Sequence, residues 1–300
     1  SSDLPMVCTA LSLGVNLLCN LLFIFGVTVP LGAVTVRVPA MGAAGAALAT
    51  VVARSVEMLF GVGYAYARRL EACGSARELF GFERGFVARL LRVALPVLAS
   101  ETLWGLGISM QSAIYARAGT QAIAAFNITN TISQLTWVFF IGTGSAAAII
   151  IGKQIGAGEA ALAKRYAARF SWFMPLMGAV IGLLLLPLSA LLARIFANVE
   201  ADIIGIARTM LYLLVGFYPF RAFAMLLIVG VCRAGGDTVF GMLVDNGFMW
   251  TVSIPLGACA AFLWHLPPWA IFACLESEQL LKTAVGAWRI RSGRWLHKVA

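Results

Sequence analysis

Eight ionisable side chains fall inside long apolar stretches of this sequence: Arg54, Glu57, Glu101, Arg221, Asp245, Glu276, Glu278 and Lys282. At mid-helix in a bilayer each costs roughly 2.5–3.5 kcal/mol on insertion scales, so eight do not persist against lipid. The chemistry open to them is binding and release of cations. Spacing separates the cases. Arg54 and Glu57 stand three residues apart and Glu278 and Lys282 four apart, so each pair can neutralise along its own helix. Glu101 has Val97, Leu98, Trp104 and Gly105 at those offsets, and Asp245 has Gly241, Met242, Phe248 and Met249. Arg221 is flanked by Phe217, Tyr218, Ala224 and Met225, and Glu276 has only Gln279 as a polar neighbour. These four need another helix, water or a ligand; Asp245 and Arg221 either pair with each other or serve a ligand. Glu101 lies nine residues after Arg92, about 14 Å along a helix. That is close to the midplane of a hydrocarbon core about 30 Å thick.

A polar stripe accompanies them. Asn127, Asn130, Thr131 and Gln134 fall at i, i+3, i+4 and i+7, one face of a helix. Such a face either glues helices together or lines a wet cavity. Trp104, Trp137 and Trp250 offer aromatic surfaces to an organic cation, or simply fill the core. Catalysis is not expected. Glu276 and Glu278, two residues apart, point to different sides of a regular helix and make no working pair. The glycine-rich pieces GTGS (142–145) and GKQIGAG (152–158) lack phosphate-loop spacing. The six cysteines show no CxxC or Cys/His pattern, and His265 and His297 stand apart from one another.

The elements that must position these residues are membrane helices. The chain is 61% hydrophobic and 12% charged, with mean hydropathy +0.91; a soluble domain is about half apolar and a quarter charged. Apolar runs predict an all-α polytopic protein of eight spans, at roughly 4–26, 41–66, 91–116, 121–151, 166–192, 206–232, 239–264 and 267–288. Prolines 96, 175, 187, 219 and 255 fall inside them, where they permit kinks. The net charge of +9 is spread over alternate loops, which excludes a nucleic-acid patch and sets orientation instead. Arg68, Arg69, Arg77, Arg84, Arg89, Arg92, Lys153, Lys164, Arg165, Arg169, Arg233 and the cations of the tail lie on one side. Arg37, Arg117, Arg194 and Arg208 lie on the other. The basic side, with the C-terminus, is expected to be cytoplasmic. Residues 71–90, with Phe80, Phe82 and Phe86 among charges, read as an interfacial linker. It separates residues 1–70, two helices, from 91–300, a six-helix unit with a short basic tail.

Particular segments resemble the multidrug and toxic compound extrusion family, a branch of the multidrug/oligosaccharidyl-lipid/polysaccharide flippase superfamily. NLLCNLLFIFG (16–26) and PAMGAAGAALATVVAR (39–54) resemble its fifth and sixth helices, and ALPVLASETLWGLG (94–107) its seventh. AGTQAIAAFNIT (118–129) and GSAAAIIIGKQIGAGE (144–159) resemble its eighth helix and exit loop. VCRAGGDT (231–238) and MWTVSIPLG (249–257) resemble the tenth-to-eleventh junction.

The resemblance implies two six-helix lobes around a central cavity. This chain would hold one lobe and the last two helices of the other, as a piece of a longer gene. It implies a secondary efflux transporter in the cell membrane, exchanging organic cations or other xenobiotics for protons or sodium ions by alternating access. No cofactor is expected beyond the coupling ion. The alternatives are a lipid-linked precursor flippase of the same superfamily, or a fragment incompetent for transport. Glu101 matches a coupling carboxylate and is the candidate for holding sodium. Where one branch has a second acid this chain has Ala222 beside Arg221, which leaves Asp245 as the other coupling candidate. Asn127, Asn130, Thr131, Gln134, Arg221, Trp250 and Glu276 are the candidate cavity residues. The expected partners are a small organic cation, membrane lipid and the missing helices, with no nucleic acid.

Overall fold

A computed structural model describes residues 4–31, 34–68, 84–196 and 199–296. The helices are α1 (Leu4–Phe25), α2 (Gly42–Ala67), α3 (Arg84–Ala118), α4 (Thr120–Gly156) and α5 (Ala160–Ile195). They continue with α6 (Ala201–Gly235), α7 (Thr238–Leu263), α8 (Pro268–Glu276) and α9 (Glu278–Ser292). Every apolar run read from the sequence lies on a helix, and several helices run past it into charged flanks. Helix α4, for example, carries Lys153 and ends only at Gly156. Six helices among the described residues are long and apolar enough to cross a membrane: α1, α2, α4, α5, α6 and α7. The chain is a polytopic all-α membrane protein. The expected last span is interrupted. Helix α8 stops at Glu276 and α9 restarts at Glu278, with the Ser277 hydroxyl donating to the Cys274 carbonyl at 2.7 Å.

The chain forms two compact units, Ser1–Ala88 and Arg89–Ala300. Most of the expected 71–90 linker lies outside the described residues; from Arg84 the chain is already helical.

In the first unit α1 and α2 pack through small residues. The Gly45 position meets the Phe23 backbone directly, and Ala49 and Ala53 are fully buried. Polar groups join the same seam: Ser12 donates to the Ala53 carbonyl at 3.3 Å and Thr9 to Glu57 Oε1 at 3.4 Å, while Glu57 also pairs along α2 with Arg54 at 2.6 Å, as their spacing predicts. Between the helices, β1 (Val27–Leu31) pairs antiparallel with β2 (Val34–Val38), placing Val27 opposite Val38. The alternating β-branched residues are a strand signal, hidden in a stretch that a search for twenty-residue apolar runs discards.

The second unit is built around α6, more enclosed than any of the other five apolar spans, with Met210, Leu211, Leu214, Tyr218 and Leu226 fully buried. Helices α4, α5, α8 and α9 pack on it. The outward faces are apolar: Trp172 is 81% exposed, and Leu176, Leu183 and Leu184 lie beside it on α5. Exposed apolar faces around a core of small residues and a few polar contacts are what helix packing in lipid requires.

Close approach of α5 to α6 depends on Gly178. A Cβ there would stand 2.6 Å from the Tyr218 carbonyl oxygen and 3.0 Å from the Ala222 Cβ. We expect Gly178→Ala to cost about 1–3 kcal/mol by overpacking, measured as a lower unfolding temperature in detergent. Gly205→Ala, with open space around it, should not lower that temperature. Both changes gain the same helix propensity, so an equal effect would remove the packing explanation.

Candidate functional site

Helices α3, α4, α6, α7, α8 and α9 of the second unit enclose a cavity of about 560 Å³. One face of each supplies the wall. Helix α3 contributes Glu101, Trp104, Ile108 and Gln111; α4 contributes Trp137, Ile141 and Ser145. Arg221, Met225 and Val229 come from α6, and Met242, Asp245 and Met249 from α7. Glu276, Glu278, Gln279 and Lys282 come from α8 and α9. All four ionisable residues that lack a partner on their own helix therefore meet at one place.

Their pairing differs from the Asp245–Arg221 alternative. Arg221 instead meets Glu276: Nη2 donates to Oε1 at 3.0 Å, and Nε lies 2.9 Å from Oε2 in an ion pair not aligned as a hydrogen bond. Its Nη1 donates to the Ser133 hydroxyl at 2.8 Å. One turn earlier the Tyr218 hydroxyl shares a hydrogen bond with Thr136, and its ring meets Phe140 edge-on at 5.4 Å. These contacts fix α6 against α4 and aim the guanidinium at α8.

Asp245 pairs with Lys282, whose Nζ donates to Oδ1 at 2.8 Å. The same ammonium donates to Glu278 Oε1 at 3.1 Å, the pairing four residues apart that the sequence predicts. Lys282 thus stands between two carboxylates, and its side chain is only 3% exposed. Glu276 and Glu278 do not diverge as on a regular helix. Both line the cavity, each with its own cation, on either side of the tightened turn in which the Ser277 N–H reaches the Cys274 carbonyl.

Glu101 is not alone at mid-depth. It lies 3.5 Å from Arg233, at the end of α6, with both side chains more than half exposed. Helix α3 begins at Arg84, two turns before Arg92, and Arg233 lies in the last turn of α6, just before the chain turns into α7. Gly236 makes that turn with φ of 77°, and Asp237 Oδ2 accepts from Arg289 Nε at 2.7 Å, tying it to α9. The Arg289 guanidinium also lies over the Phe240 ring at 4.5 Å. Beside Glu101, Asn246 Nδ2 donates to the Ser100 hydroxyl at 2.9 Å and holds α7 to α3.

The remaining candidates lie off the cavity. Asn127, Thr131 and Gln134 are exposed and Asn130 is half-buried; the Thr131 hydroxyl donates to the Asn127 carbonyl. Asn127, Asn130 and Gln134 do continue, toward the start of α4, the line of Trp137, Ile141 and Ser145 that forms its wall. Trp250 turns to α3 and donates from Nε1 to the Leu103 carbonyl at 3.2 Å. It sits in a π-helical stretch, Met249–Ser253, where the wider turn rotates following side chains off the 3.6-residue face. Residues not singled out as cavity candidates are Gln111, Arg233, Glu278 and Lys282. For the last two the signal was present, in a pair of opposite charges inside an apolar run.

The walls carry four acids (Glu101, Asp245, Glu276, Glu278) and three bases (Arg221, Arg233, Lys282). One negative charge is left over, among Trp104, Trp137, Met225, Met242 and Met249. Such a cavity can hold one cationic charge on an apolar body. A group of three or more His, Cys, Asp or Glu side chains converging as a metal site is absent among the described residues.

A sequence model of the MatE family matches residues 97–259. The probable multidrug resistance protein NorM of Pasteurella multocida is 25% identical over 260 residues, 84% of this chain and 53% of that protein. The protein of the same name from Thermotoga maritima is 24% identical over 302 residues, covering 97% of this chain and 60% of its own. The chain therefore spans between half and two thirds of the length of these relatives. Among solved structures, a MATE protein in complex with MaL6 superposes with a TM-score of 0.78 at 18% identity. A superfamily transporter from Pyrococcus furiosus, described as having a binding pocket of reversed polarity, gives the same score and identity. Each superposition covers 96% of this chain and 63% of the other. At that identity the likeness speaks for the fold alone.

Proposed function

Because the chain belongs to the MatE family, we propose that it forms the greater part of a secondary active efflux transporter for organic cations or other xenobiotics. The observation that carries this reading is the cavity of residues 89–300, with one excess negative charge among aromatic and thioether surfaces. A permeant organic cation is attracted by that charge, and a proton or sodium ion competes for the same carboxylates. Mutual exclusion of the two is the basis of antiport. In this reading Asp245 and Glu101 carry the exchanged cation, and the Arg221–Glu276 pair shapes the wall. The line of Asn127, Asn130 and Gln134 extends the passage along α4. No cofactor is required beyond the coupling ion.

Transport by alternating access needs two bundles rocking about a shared site. The relatives' greater length supports further helices completing the cavity. The distribution of basic residues supports a cell-membrane protein with a cytoplasmic C-terminus.

The test is reconstitution of the complete gene product in liposomes under an imposed proton or sodium gradient. We expect gradient-driven uptake of a fluorescent organic cation, falling to the level of protein-free liposomes in Asp245→Asn. Glu101→Gln should lose the dependence on the gradient. Uptake that ignores both substitutions would overturn the assignment.

A further inference from the structure

We infer that Glu278 is a proton-binding site within the Asp245–Lys282–Glu278 cluster, and that the Lys282 ammonium fills the place a sodium ion would need. Two carboxylates and one ammonium leave the cluster with one net negative charge. The other charged groups do not cancel it: Arg221 from α6 is engaged with Glu276 from α8, and Arg233 from the end of α6 with Glu101 on α3. Glu278 Oε1 accepts from Lys282 Nζ at 3.1 Å and from Gln279 Nε2 at 3.2 Å. Its Oε2 is closed to solvent and has no hydrogen-bond partner, although the residue lines the cavity wall and is 4% exposed. A carboxylate oxygen closed to solvent and without a donor is costly. A proton delivered by a hydronium ion in the cavity breaks one O–H bond there, forms one on Oε2 and leaves a water molecule, bringing the cluster to neutrality.

Lysine also decides which ion is held. A sodium ion at these carboxylates would have to share them with an ammonium already 2.8 Å and 3.1 Å from their oxygens. Like charges at such distances repel strongly where water is excluded. Lys282 is tethered and cannot leave, so this cluster takes up a proton and not a sodium ion. What the proton is exchanged for rests on the transport reading above; its binding does not.

Infrared spectroscopy on the full chain in lipid nanodiscs tests this without any transport step. The wild type should show the C=O stretching band of a protonated carboxyl group from mildly acid through neutral pH. Glu278→Gln should lose that band and Glu101→Gln should keep it. Exchanging potassium for sodium chloride should leave it unchanged. A band that survives in Glu278→Gln overturns the assignment, and a band abolished by sodium overturns the exclusion. If Glu278→Gln does not fold, carboxyl-¹³C glutamate labelling of the wild type and of Glu101→Gln and Glu276→Gln assigns the band by exclusion within the cavity, and its loss in either variant overturns the assignment. The band must shift; an unshifted band belongs to an aspartate and sinks the proposal. A protein that holds this proton yet moves no organic cation would defeat the transport reading and leave the site standing.

Discussion

Replacing Arg221 with methionine should lower stability by about 3 kcal/mol, near the lower end of what breaking a buried ion pair costs. Methionine keeps most of the length and apolar surface, so the loss isolates the guanidinium. That group holds three helices at once, through Glu276 on α8 and Ser133 on α4 while it projects from α6. Without it Glu276, 10% exposed at the side chain, keeps a charge with no counter-ion. The choice of the lower figure follows from the 20% exposure of Arg221, which lets some water reach the pair. The double variant Arg221→Met/Glu276→Gln should recover most of the loss, because the orphaned charge goes with its partner. Thermal or denaturant unfolding in detergent measures both. If the double variant is no more stable than Arg221→Met, the pair is not the source of the cost. The same change in Asp245→Asn background should show no rescue, since Asp245 is engaged with Lys282.

That last contrast marks where the sequence stops being readable. Composition and apolar run length place the described helices except for the division of the last run into α8 and α9, because the bilayer imposes one length and one polarity on anything that crosses it. Local pairs are equally legible: Arg54 with Glu57 and Lys282 with Glu278 follow from helical spacing alone. The same spacing shows Glu101, Asp245, Arg221 and Glu276 to be without local partners, and the fold gathers them around one cavity. Which of them pairs with which depends on how neighbouring helices are rotated and slid, information that no single helix contains. For Arg221 the sequence offered Asp245, and the packing of α6 against α8 chose Glu276.

Two local departures from α-helical geometry account for much of the rest. A regular helix puts residues two apart on different sides, so Glu276 and Glu278 read as unrelated; both line the cavity, on either side of the tightened turn at Ser277. Helices α6 and α7 contain π-helical stretches at Leu226–Cys232, Met249–Ser253 and Cys259–Leu263. Each wide turn shifts the face by about one residue. Asp245 lies before the stretch at Met249 and keeps its expected face, whereas Trp250 lies inside it and turns to α3. The prolines were visible but not the turns: Pro255 follows the second π stretch, where the Ile254 N–H reaches back to Met249. Glu101 lines the cavity, and its partner, Arg233 at the end of α6, is one that helical spacing on α3 could not name.

Replacing Lys282 with methionine should be the most damaging single change to the second unit, at about 3–5 kcal/mol. Lys282 is more deeply enclosed than Arg221, 3% exposed, and it serves two carboxylates from two helices. Its removal leaves the Asp245 carboxylate without a counter-ion beside a protonated Glu278, so the charge that tied α7 to α9 is gone and an unpaired one stays behind. Neutralising one acid should restore most of the stability. Lys282→Met/Asp245→Asn leaves a single carboxyl at Glu278, which a proton can neutralise without help from any other side chain. Lys282→Arg should not substitute for the native residue. A planar guanidinium needs acceptors arranged in its own plane, whereas the ammonium is a point charge on a flexible stem that meets one oxygen from each side. Unfolding of the three variants in one detergent separates charge from packing. If Lys282→Met costs much and Lys282→Met/Asp245→Asn costs little, the unpaired Asp245 charge is the cause. If both cost the same, the lysine stem is filling space, and the ammonium is not what holds α7 to α9.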